Sequence, residues 1–495
     1  MPASAPPPCY TVVVHLDPAR CYRAFVTHDR RYDGRAFAGV ITTGVYCRPI
    51  CPVRPAKPEN CRFFSCAAAA EAAGFRPCRR CRPETAPGTP AWMGTSAVVA
   101  RACRLISAGA LDDEDVEGLA ARLGVGGRHL RRLFVRHLGA SPVQVARARR
   151  VHFARALLDE TELGMAEVAL SAGFRSVRQF NHAVRATFRA TPTMLRRKRE
   201  TASSEPASLV LRLAYRPPLD WTALLDFLRP RATPGVEAVD DGAYRRTIEL
   251  GDATGTIEVR EGGDGSHLLV RVDLADHDGL IHVVERVRRL FGLDDDPHEV
   301  ARRLRASPVL RPLVRRSPGL RVPGAWEPFE LAVRAVLGQQ ITVRGATTLA
   351  GGLVRGFGTP LRAAGPLTHL FPRAEVLAQA DVAVIGIPRA RARTISALAA
   401  AVASRALVLD AARGLDDAIA RLRAVPGIGA WTAEYVAMRT LGEADAFPAG
   451  DLGLRCALGN GAGPVSVDAL ARAAEAWRPW RAYAAMHLWR SLEER

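Results

Sequence analysis

Eight of the ten cysteines lie before residue 82, and four of them form two close pairs. Cys47 and Cys51 are separated by three residues, Cys78 and Cys81 by two, and 26 residues lie between the pairs. This spacing suits four thiolates around one tetrahedral Zn²⁺, because each pair bridges a tight turn and the intervening loop closes the site. The sequence therefore predicts one zinc ion held by four cysteines.

Two further cysteines, Cys61 and Cys66, fall between these pairs. They lack the close pairing framed by Pro and Arg, so we expect them to be small buried hydrophobic residues.

Arginines crowd the predicted metal centre. A zinc ion that only stabilises a small domain is one interpretation of the cysteines. The arginines favour a second interpretation, because a centre with four thiolates and a net charge of about −2 could face DNA phosphates through a basic collar. The collar consists of Arg48, Arg54, Arg76, Arg79, Arg80 and Arg82.

The stretches "DGRAFAGVITTGVYCRPICPVRP" and "AAGFRPCRRC" resemble the zinc-binding methyl-acceptor domain of the Ada family of DNA alkylation response proteins, over about residues 28 to 85. The resemblance implies that Cys47 takes a methyl group irreversibly from a methylated DNA phosphate. It also implies that Thr43, Arg48, Arg54 and Arg76 contact the DNA backbone. Methylation would make one thiolate a neutral thioether, so repulsion from phosphate would fall and affinity for DNA would rise.

A carboxylate near the other end of the chain is the second candidate for chemistry. Asp451 ends the turn "PAGD" and precedes "LGLRCAL", so it suits the N-cap of a helix. Upstream, Gly427, Ile428 and Gly429 in "VPGIGAW" predict a hairpin between two helices, whose N–H groups can hold a phosphate.

The stretches "LRAVPGIGAWTAEYVAMRTLG" and "DAFPAGDLGLR" resemble the helix-hairpin-helix DNA glycosylases of the 3-methyladenine glycosylase II (AlkA) branch, over about residues 209 to 490. The resemblance implies that Asp451 is catalytic, a role compatible with the N-cap. It places Trp431, Tyr435 and Trp489 around an extruded base, where cation–π attraction would favour positively charged alkylated purines. Aromatic core residues are the alternative for all three.

Three details qualify this resemblance. Trp431 stands where lyase-type relatives have a Schiff-base Lys, which implies base excision without strand cleavage. Gln340 in "RAVLGQQIT" occupies the position of an apolar wedge, so we expect base flipping or damage preference to differ. Cys456 is the only cysteine of the second half, which excludes an iron–sulfur cluster, and the "PCHR" motif of O6-alkylguanine acceptors is absent.

The elements between these two sites read as DNA-binding helices. Leu130, Phe134, Leu138 and Pro142 recur 50 residues later as Phe180, Val184, Phe188 and Pro192, each set after a short helix and a Gly turn. Two helix-turn-helix units are predicted, and "SAGFRSVRQFNHAVRATFRATPTMLR" resembles the AraC-type domain. A helical bundle with a solvated basic face is the alternative. The candidate DNA contacts are Arg128, Arg131, Arg132, Arg175, Arg178, Gln179 and Asn181.

From Leu209 the apolar residues alternate, which predicts strands. We therefore expect a multidomain α+β protein in which a small α+β domain precedes an all-α helix-hairpin-helix domain. The polar stretch "ETASSEPAS" is the expected linker before it. The predicted domains are a zinc-bound α/β domain at 1–88, an all-α double helix-turn-helix domain at 94–199, the α+β domain at 208–290 and the glycosylase domain at 291–495.

The 495 residues carry a formal charge of +19, with a pI near 10.4. This favours nucleic acid as a partner, although a coding bias towards Arg is an alternative. The start lacks the pattern of a secretory signal, and no run of about 18 apolar residues occurs, so we expect a cytoplasmic, nucleoid-associated protein.

Together these features predict a DNA alkylation repair and response protein: a zinc methyl acceptor, a DNA-binding transcription regulator and a monofunctional glycosylase for alkylated purines. Alkylated and operator DNA are the expected partners, with RNA polymerase a further candidate. The rival interpretation is a zinc-dependent transcription regulator without catalysis.

Overall fold

A computed structural model of the protein describes residues 16–87, 97–196, 208–361 and 365–493. The chain divides into two compact units, Met1–Arg155 with Arg178–Met194, and Ala156–Val177 with Leu195–Arg495. The expected linker at 200–208 lies outside the described residues except for its last position.

The cysteine-rich segment folds around a four-stranded sheet of order β3-β1-β2-β4. Strands β2 and β4 are parallel and the other pairs are antiparallel. The first helix begins at Pro18 and is capped by Asp17, whose carboxylate accepts hydrogen bonds from the N–H groups of Ala19 and Arg20. The elements are α1 (Pro18–Val26), β1 (Phe37–Val40), β2 (Val45–Cys47), β3 (Cys61–Phe64), α2 (Ala67–Ala72) and β4 (Arg76–Pro77).

Strand β2 directs neighbouring side chains into two different apolar clusters. Tyr46 packs edge-on against Phe37, with ring centroids 5.8 Å apart, and is fully buried. Cys47 instead joins Phe25 and Ala38. Because successive side chains of a strand point to opposite faces, the sulfur lies on one face of the sheet and the phenol on the other.

Residues 97–195 are helical, as predicted. The apolar positions of both repeats are buried: Leu130 and Phe134 in α6, and Phe180 and Val184 in α9. Two pairs of helices, α5–α6 and α8–α9, therefore repeat with the predicted offset. The helices are α3 (Ala97–Ser107), α4 (Ala110–Asp113), α5 (Val116–Arg122), α6 (Gly127–Leu138), α7 (Pro142–Glu160), α8 (Met165–Ser171), α9 (Val177–Phe188) and α10 (Pro192–Leu195).

The predicted α+β segment contains an antiparallel five-stranded sheet of order β5-β9-β8-β7-β6. Four strands lie where the alternating sequence predicts them, whereas the short β6 was not predicted. Trp221 and Tyr244 pack against Phe291, with centroids 5.0 and 5.5 Å away. The elements are β5 (Ser208–Ala214), α11 (Trp221–Leu228), β6 (Glu237–Asp240), β7 (Ala243–Leu250), β8 (Ala253–Glu261), β9 (His267–Asp273) and α12 (Leu280–Leu290).

Among the described residues that follow α12, the chain is helical apart from one two-stranded ribbon. Ala332, Ile395 and Val436, from three different helices, are inaccessible to solvent in its core. The elements are α13 (Pro297–Leu304), α14 (Leu310–Arg316), α15 (Pro328–Leu337), α16 (Val343–Phe357), β10 (Thr359–Pro360), β11 (His369–Leu370), α17 (Ala374–Gln379), α18 (Arg389–Ala403), α19 (Leu415–Arg423), α20 (Ala430–Thr440), α21 (Leu452–Gly459), α22 (Val467–Ala474) and α23 (Arg481–Glu493).

Within the described ranges, none of these helices has both the length and the apolar character that crossing a membrane requires. The predicted fold class, a multidomain α+β chain with a cysteine-rich start and a mainly helical remainder, is confirmed.

Candidate functional site

The four predicted zinc ligands lie together. The Sγ atoms of Cys47, Cys51, Cys78 and Cys81 are within 4.8 Å of one another, and all four residues are buried. Strand β2 ends at Cys47, and the N–H of Cys78 donates to the carbonyl of Tyr46 at 3.0 Å. This backbone contact sets the second pair beside the first.

The donor set fits a zinc ion. Hydrogen bonds from the other three thiols, and then burial, raise the pKa of Cys47 above its ordinary value. Four thiolates this close together repel one another, so a cation is needed to hold all of them deprotonated. Among the described residues, this is the only group of three or more His, Cys, Asp or Glu side chains arranged to hold a metal ion.

Exposure does not distinguish Cys47 from the other three cysteines. Its exposed fraction is 4%, against 8% for both Cys78 and Cys81. The assignment of the methyl acceptor to Cys47 thus stays a prediction from the family resemblance. Cys61 and Cys66 lie outside the cluster and are partly exposed instead of buried, with thiols 3.8 and 3.7 Å from the carbonyls of Ala56 and Leu138.

The predicted basic collar is mostly accessible. Thr43, Arg54, Arg79 and Arg80 are exposed, and Arg76 is partly exposed. These residues are placed where a phosphate can reach them, and their contact with DNA stays a prediction. Arg82 is partly buried, and its Nε donates to Glu84 at 3.1 Å.

Arg48 differs from the rest of the collar because it is buried. Its Nε donates to Asp33 at 2.8 Å, and a second nitrogen also bonds this carboxylate. Its Nη1 donates to Thr85 Oγ1 at 2.7 Å and to the carbonyl of Cys81 at 3.3 Å. The structure thus gives this guanidinium an internal role, and the predicted phosphate contact has no support from its position.

The candidate DNA contacts of the helical segment lie on solvent-facing positions. Six of them are exposed and Asn181 is partly exposed. Arg131 forms a 3.0 Å ion pair with Glu117, and Arg132 hydrogen-bonds His129 at 2.9 Å. The exposed six are Arg128, Arg131, Arg132, Arg175, Arg178 and Gln179.

Asp451 is the N-cap of α21 and also meets two tryptophans. Its Oδ1 accepts hydrogen bonds from Leu454 N–H and from Trp489 Nε1, both at 2.9 Å. Its Oδ2 accepts one from Trp431 Nε1 at 2.9 Å. The predicted N-cap is confirmed, and two indole N–H groups fix the carboxylate at the aromatic cluster.

The three predicted pocket aromatics lie together. Trp431 stacks on Tyr435 with centroids 5.2 Å apart and planes 10° apart, and Tyr435 meets Trp489 edge-on at 6.2 Å. Phe227 from α11 lies 6.3 Å from Trp489. The predicted α+β segment therefore contributes one aromatic side chain to this cluster.

Arginine side chains lie against Tyr435 and Phe227 of this aromatic cluster. Arg439 donates to the Tyr435 hydroxyl oxygen at 2.8 Å, and the Arg231 guanidinium lies 3.8 Å from the centroid of Phe227. Burial opposes ionisation of Tyr435, but the charges of Arg439, Arg231 and Arg334 outweigh it and lower its pKa.

The predicted hairpin is present between α19 and α20. Gly427 has a φ of +88°, and a Cβ there would lie 1.9 Å from Thr394 Oγ1. Gly427 and Gly429 are exposed, whereas Ile428 is 5% exposed and joins the helical core. The hairpin thus presents backbone to solvent and is anchored by an apolar side chain.

Gln340 occupies the exposed tip between α15 and α16, with a φ of +58°. Its neighbour Gln339 donates through Nε2 to the carbonyl of Gly427 at 3.1 Å and to Thr432 Oγ1 at 3.0 Å. Arg391 donates to the Gln339 carbonyl at 2.6 Å. The Gln339 side chain thus joins the loop between α15 and α16 to the hairpin, and we call this loop the wedge loop because the family resemblance implies a wedge at Gln340.

Sequence reasoning missed Phe227, Arg231, Gln339 and Arg439 at this site. The partners of Phe227 and Gln339 lie far away in sequence. Arg231 and Arg439 contact aromatic residues only four positions away, but each residue type also suits an ordinary core or surface position. Only the position of Phe227 within an apolar helix was visible beforehand.

Comparison with protein families identifies three segments. The metal-binding domain of Ada matches residues 20–84, a helix-turn-helix domain matches 119–198, and the AlkA N-terminal domain matches 210–327. The three predicted resemblances are confirmed.

Similarity to whole proteins extends over nearly the full chain. A probable bifunctional transcriptional activator/DNA repair enzyme AlkA of Mycobacterium tuberculosis is 46% identical over 485 residues, covering 97% of both chains. DNA-3-methyladenine glycosylase 2 of Escherichia coli is 32% identical over 280 residues, covering 56% of this chain and 95% of its own. A 3-methyladenine DNA-glycosylase from Archaeoglobus fulgidus shares the fold over 57% of this chain and 98% of its own, with a TM-score of 0.51 and 24% identity.

Proposed function

The chain belongs to the family of bifunctional AlkA proteins that join a transcriptional activator to a DNA repair enzyme, and on that premise we propose the residues that perform each activity. It is a DNA-3-methyladenine glycosylase with an Ada-type zinc site, and DNA is its partner. Alkylated purines are the substrates of the second unit, and Asp451 is its catalytic carboxylate.

The observation that carries this assignment is the position of Asp451 between the indole N–H groups of Trp431 and Trp489. An N3- or N7-alkylated purine is positively charged and leaves as a neutral base, so protonation of the base is unnecessary. The carboxylate stabilises the positive charge that develops on the sugar and orients the attacking water. Trp431 and Tyr435 offer aromatic faces to the cationic base.

Trp431 also supports hydrolysis without strand cleavage. Lyase chemistry needs an amine that forms a Schiff base with the sugar, and an indole cannot supply one. The product is then an intact strand with an abasic site.

Replacement of Asp451 by Asn tests the catalytic role. Asn also caps helices well, so the fold should survive while the negative charge is lost. We expect base release from methylated duplex DNA to fall about 100-fold or more under single-turnover conditions. The matched control is Asp115→Asn, which changes the N-cap of α5 and should leave base release unchanged. Equal base release by wild type and Asp451→Asn would favour the rival interpretation, a zinc-dependent transcription regulator without catalysis.

We further propose that Cys47 accepts the methyl group of a methyl phosphotriester. A bound zinc ion keeps the four sulfurs deprotonated at neutral pH. The Cys47 sulfur attacks the methyl carbon, the carbon–oxygen bond breaks, and the phosphate leaves as an anion. Thr43 and Arg54, which are exposed, and Arg76, which is partly exposed, hold the DNA backbone.

Mass spectrometry tests this transfer. After incubation with methyl phosphotriester DNA, the Cys47 peptide should gain one methyl group in place of a hydrogen. Cys47→Ser should gain none, and methylation at Cys51, Cys78 or Cys81 instead would contradict the assignment.

The paired helices complete the proposal. The outward side chains of α6 and α9 read an operator, and the DNA-bound protein contacts RNA polymerase at the nucleoid. Arg178→Ala should weaken binding to the operator more than binding to unrelated DNA of equal length, as measured by fluorescence anisotropy at fixed salt. Equal weakening on both DNAs would show that Arg178 contacts only the backbone.

A further inference from the structure

Tyr46, which precedes Cys47 in sequence, contacts helix α7, and Arg48, which follows it, bonds a segment that contacts α7. Tyr46 precedes the sulfur, and its hydroxyl donates to Glu71 Oε1 at 2.9 Å. The same oxygen lies 2.6 Å from His152 Nε2 on α7. Tyr46 is fully buried, and the side chains of Glu71 and His152 are 16% and 15% exposed. This is a buried polar contact between the zinc-binding segment and the helix.

Arg48 follows the sulfur and starts a second connection. Its Nη1 donates to Thr85 Oγ1 at 2.7 Å. The next residue towards the N-terminus, Glu84, lies 4.0 Å from Arg155 on α7 and 3.1 Å from Arg82. The side chains of Glu84 and Arg155 are 3% and 9% exposed.

Both connections end on one face of α7. His152 and Arg155 are three residues apart on this helix, so their side chains lie on the same face. We call the contacts of Tyr46 and Glu71 with His152, and of Glu84 with Arg155, the α7 interface.

The α7 interface continues to the end of α6. Ser65 Oγ donates to the carbonyl of Leu138, the last residue of α6, at 3.4 Å, and Cys66 Sγ approaches it at 3.7 Å. Ala68 packs with Ala140 and Ala148 in a buried cluster. All of these residues belong to the first compact unit. The zinc-binding segment is therefore seated where α6, which carries exposed arginines, turns into α7.

Methylation of Cys47 would alter this arrangement in two ways. Cys47 is only 4% exposed, so an added methyl group must displace packed neighbours. The loss of one negative charge also weakens the electrostatic attraction between the sulfur cluster and Arg48, whose backbone N–H donates to Cys81 Sγ at 3.3 Å. Both effects act first on residues that lead to α7.

We propose that the α7 interface transmits the methylation of Cys47 to helix α6, so that the gain in DNA affinity depends on the Glu71–His152 pair. This inference rests on the proposed methyl transfer. Its rival is a purely local effect, in which the lost charge at zinc reduces repulsion from the nearest phosphate and α7 has no part.

The test uses the full chain loaded with zinc and compares DNA affinity before and after methylation, measured by fluorescence anisotropy. Glu71→Gln removes the charge of the pair and keeps the side-chain size. The control Glu59→Gln makes the same charge change at an exposed position of the same segment. Mass spectrometry follows methylation at Cys47 in each protein.

We expect Cys47 to be methylated equally in all three proteins. The affinity gain should be similar in wild type and Glu59→Gln, and at least about fivefold smaller in Glu71→Gln, the lower end of common coupling energies. The double variant Glu71→His/His152→Glu restores a carboxylate–imidazole pair and should recover the gain. An undiminished gain in Glu71→Gln would overturn the proposal.

Failure of the proposed methyl transfer gives a different result. Wild type would then stay unmodified on phosphotriester DNA, and methyl iodide would be used to form the same thioether without DNA. The affinities of the chemically methylated wild type and Glu71→Gln are then compared in the same way. Equal gains would reject the α7 interface as the route, and a gain confined to wild type would support it.

Discussion

The two carboxylate oxygens of Asp451 meet different groups. Oδ1 accepts the capping hydrogen bond from Leu454 N–H and a second hydrogen bond from the Trp489 indole. Oδ2 accepts a hydrogen bond from the Trp431 indole. The sequence suggested capping and catalysis for the same residue, and the geometry permits both. The capping bond holds the carboxylate at the helix start, while the indoles orient it beside the aromatic faces.

Trp431→Phe tests the indole bond to Oδ2. The ring face remains, but one hydrogen bond to a charged group is lost, which is worth about 1.5–3 kcal/mol. We expect the single-turnover rate of base release to fall at least about tenfold. Trp477→Phe is the matched control, because its indole donates to Ser307 Oγ at 3.2 Å and does not bond Asp451. Similar losses in both variants would point to general destabilisation.

The hairpin between α19 and α20 depends on one backbone conformation. Gly427→Ala adds a Cβ at a left-handed position and against Thr394. We expect a destabilisation of at least about 1 kcal/mol, which lowers the Tm by a few degrees, together with weaker binding of duplex DNA. In Gly429→Ala the Cβ meets no protein atom within 4 Å, so the Tm should stay unchanged. Equal Tm values for both variants would contradict the argument.

Helix α7 should stabilise the first unit in a pH-dependent way through His152. Burial lowers the pKa of His152, but Glu71 outweighs burial and raises it above the ordinary 6.5. Because the pKa of His152 is higher in the folded than in the unfolded protein, the charged His152–Glu71 pair stabilises the fold fully below about pH 6.5. This stabilisation is lost as the pH rises through the folded-state pKa. The difference in Tm between wild type and His152→Ala should therefore shrink as the pH rises. A constant difference across that range would disprove the charged pair.

The sequence predicted these elements unevenly. Buried apolar positions repeat at helical spacing in α6 and α9, so their helices and their offset were visible. Strand β6 is four residues long and has too few positions to show alternation. The inward turn of Arg48 depends on Asp33 and Thr85, and the Glu71–His152 pair joins residues 81 positions apart. Contacts of this kind arise only from tertiary folding.

At the scale of the whole molecule, the two chemistries belong to different compact units. All four zinc-binding cysteines lie in the first unit and Asp451 lies in the second. Because cysteine–zinc binding contributes folding energy, metal removal should unfold the first unit selectively.

Chelation tests this separation. We expect a strong chelator to abolish methyl transfer and to lower the Tm of the first transition in calorimetry. Base release from methylated DNA should remain within about twofold, since the four cysteines belong to the first unit and no further metal site is found in the described part of the second. A parallel loss of both activities would show that the second unit needs the metal as well.

The conformation of the wedge loop depends on residues that are synthesised much later than the loop itself. Gln340 has a left-handed backbone that a residue with a Cβ adopts at a cost, and the bonds of its neighbour Gln339 reach Gly427, 88 residues further along. A nascent chain that has not yet produced the hairpin lacks those partners, and so does a fragment cleaved before it. The loop that carries Gln340 therefore gains these bonds late during synthesis, only after the hairpin at 426–429 has emerged.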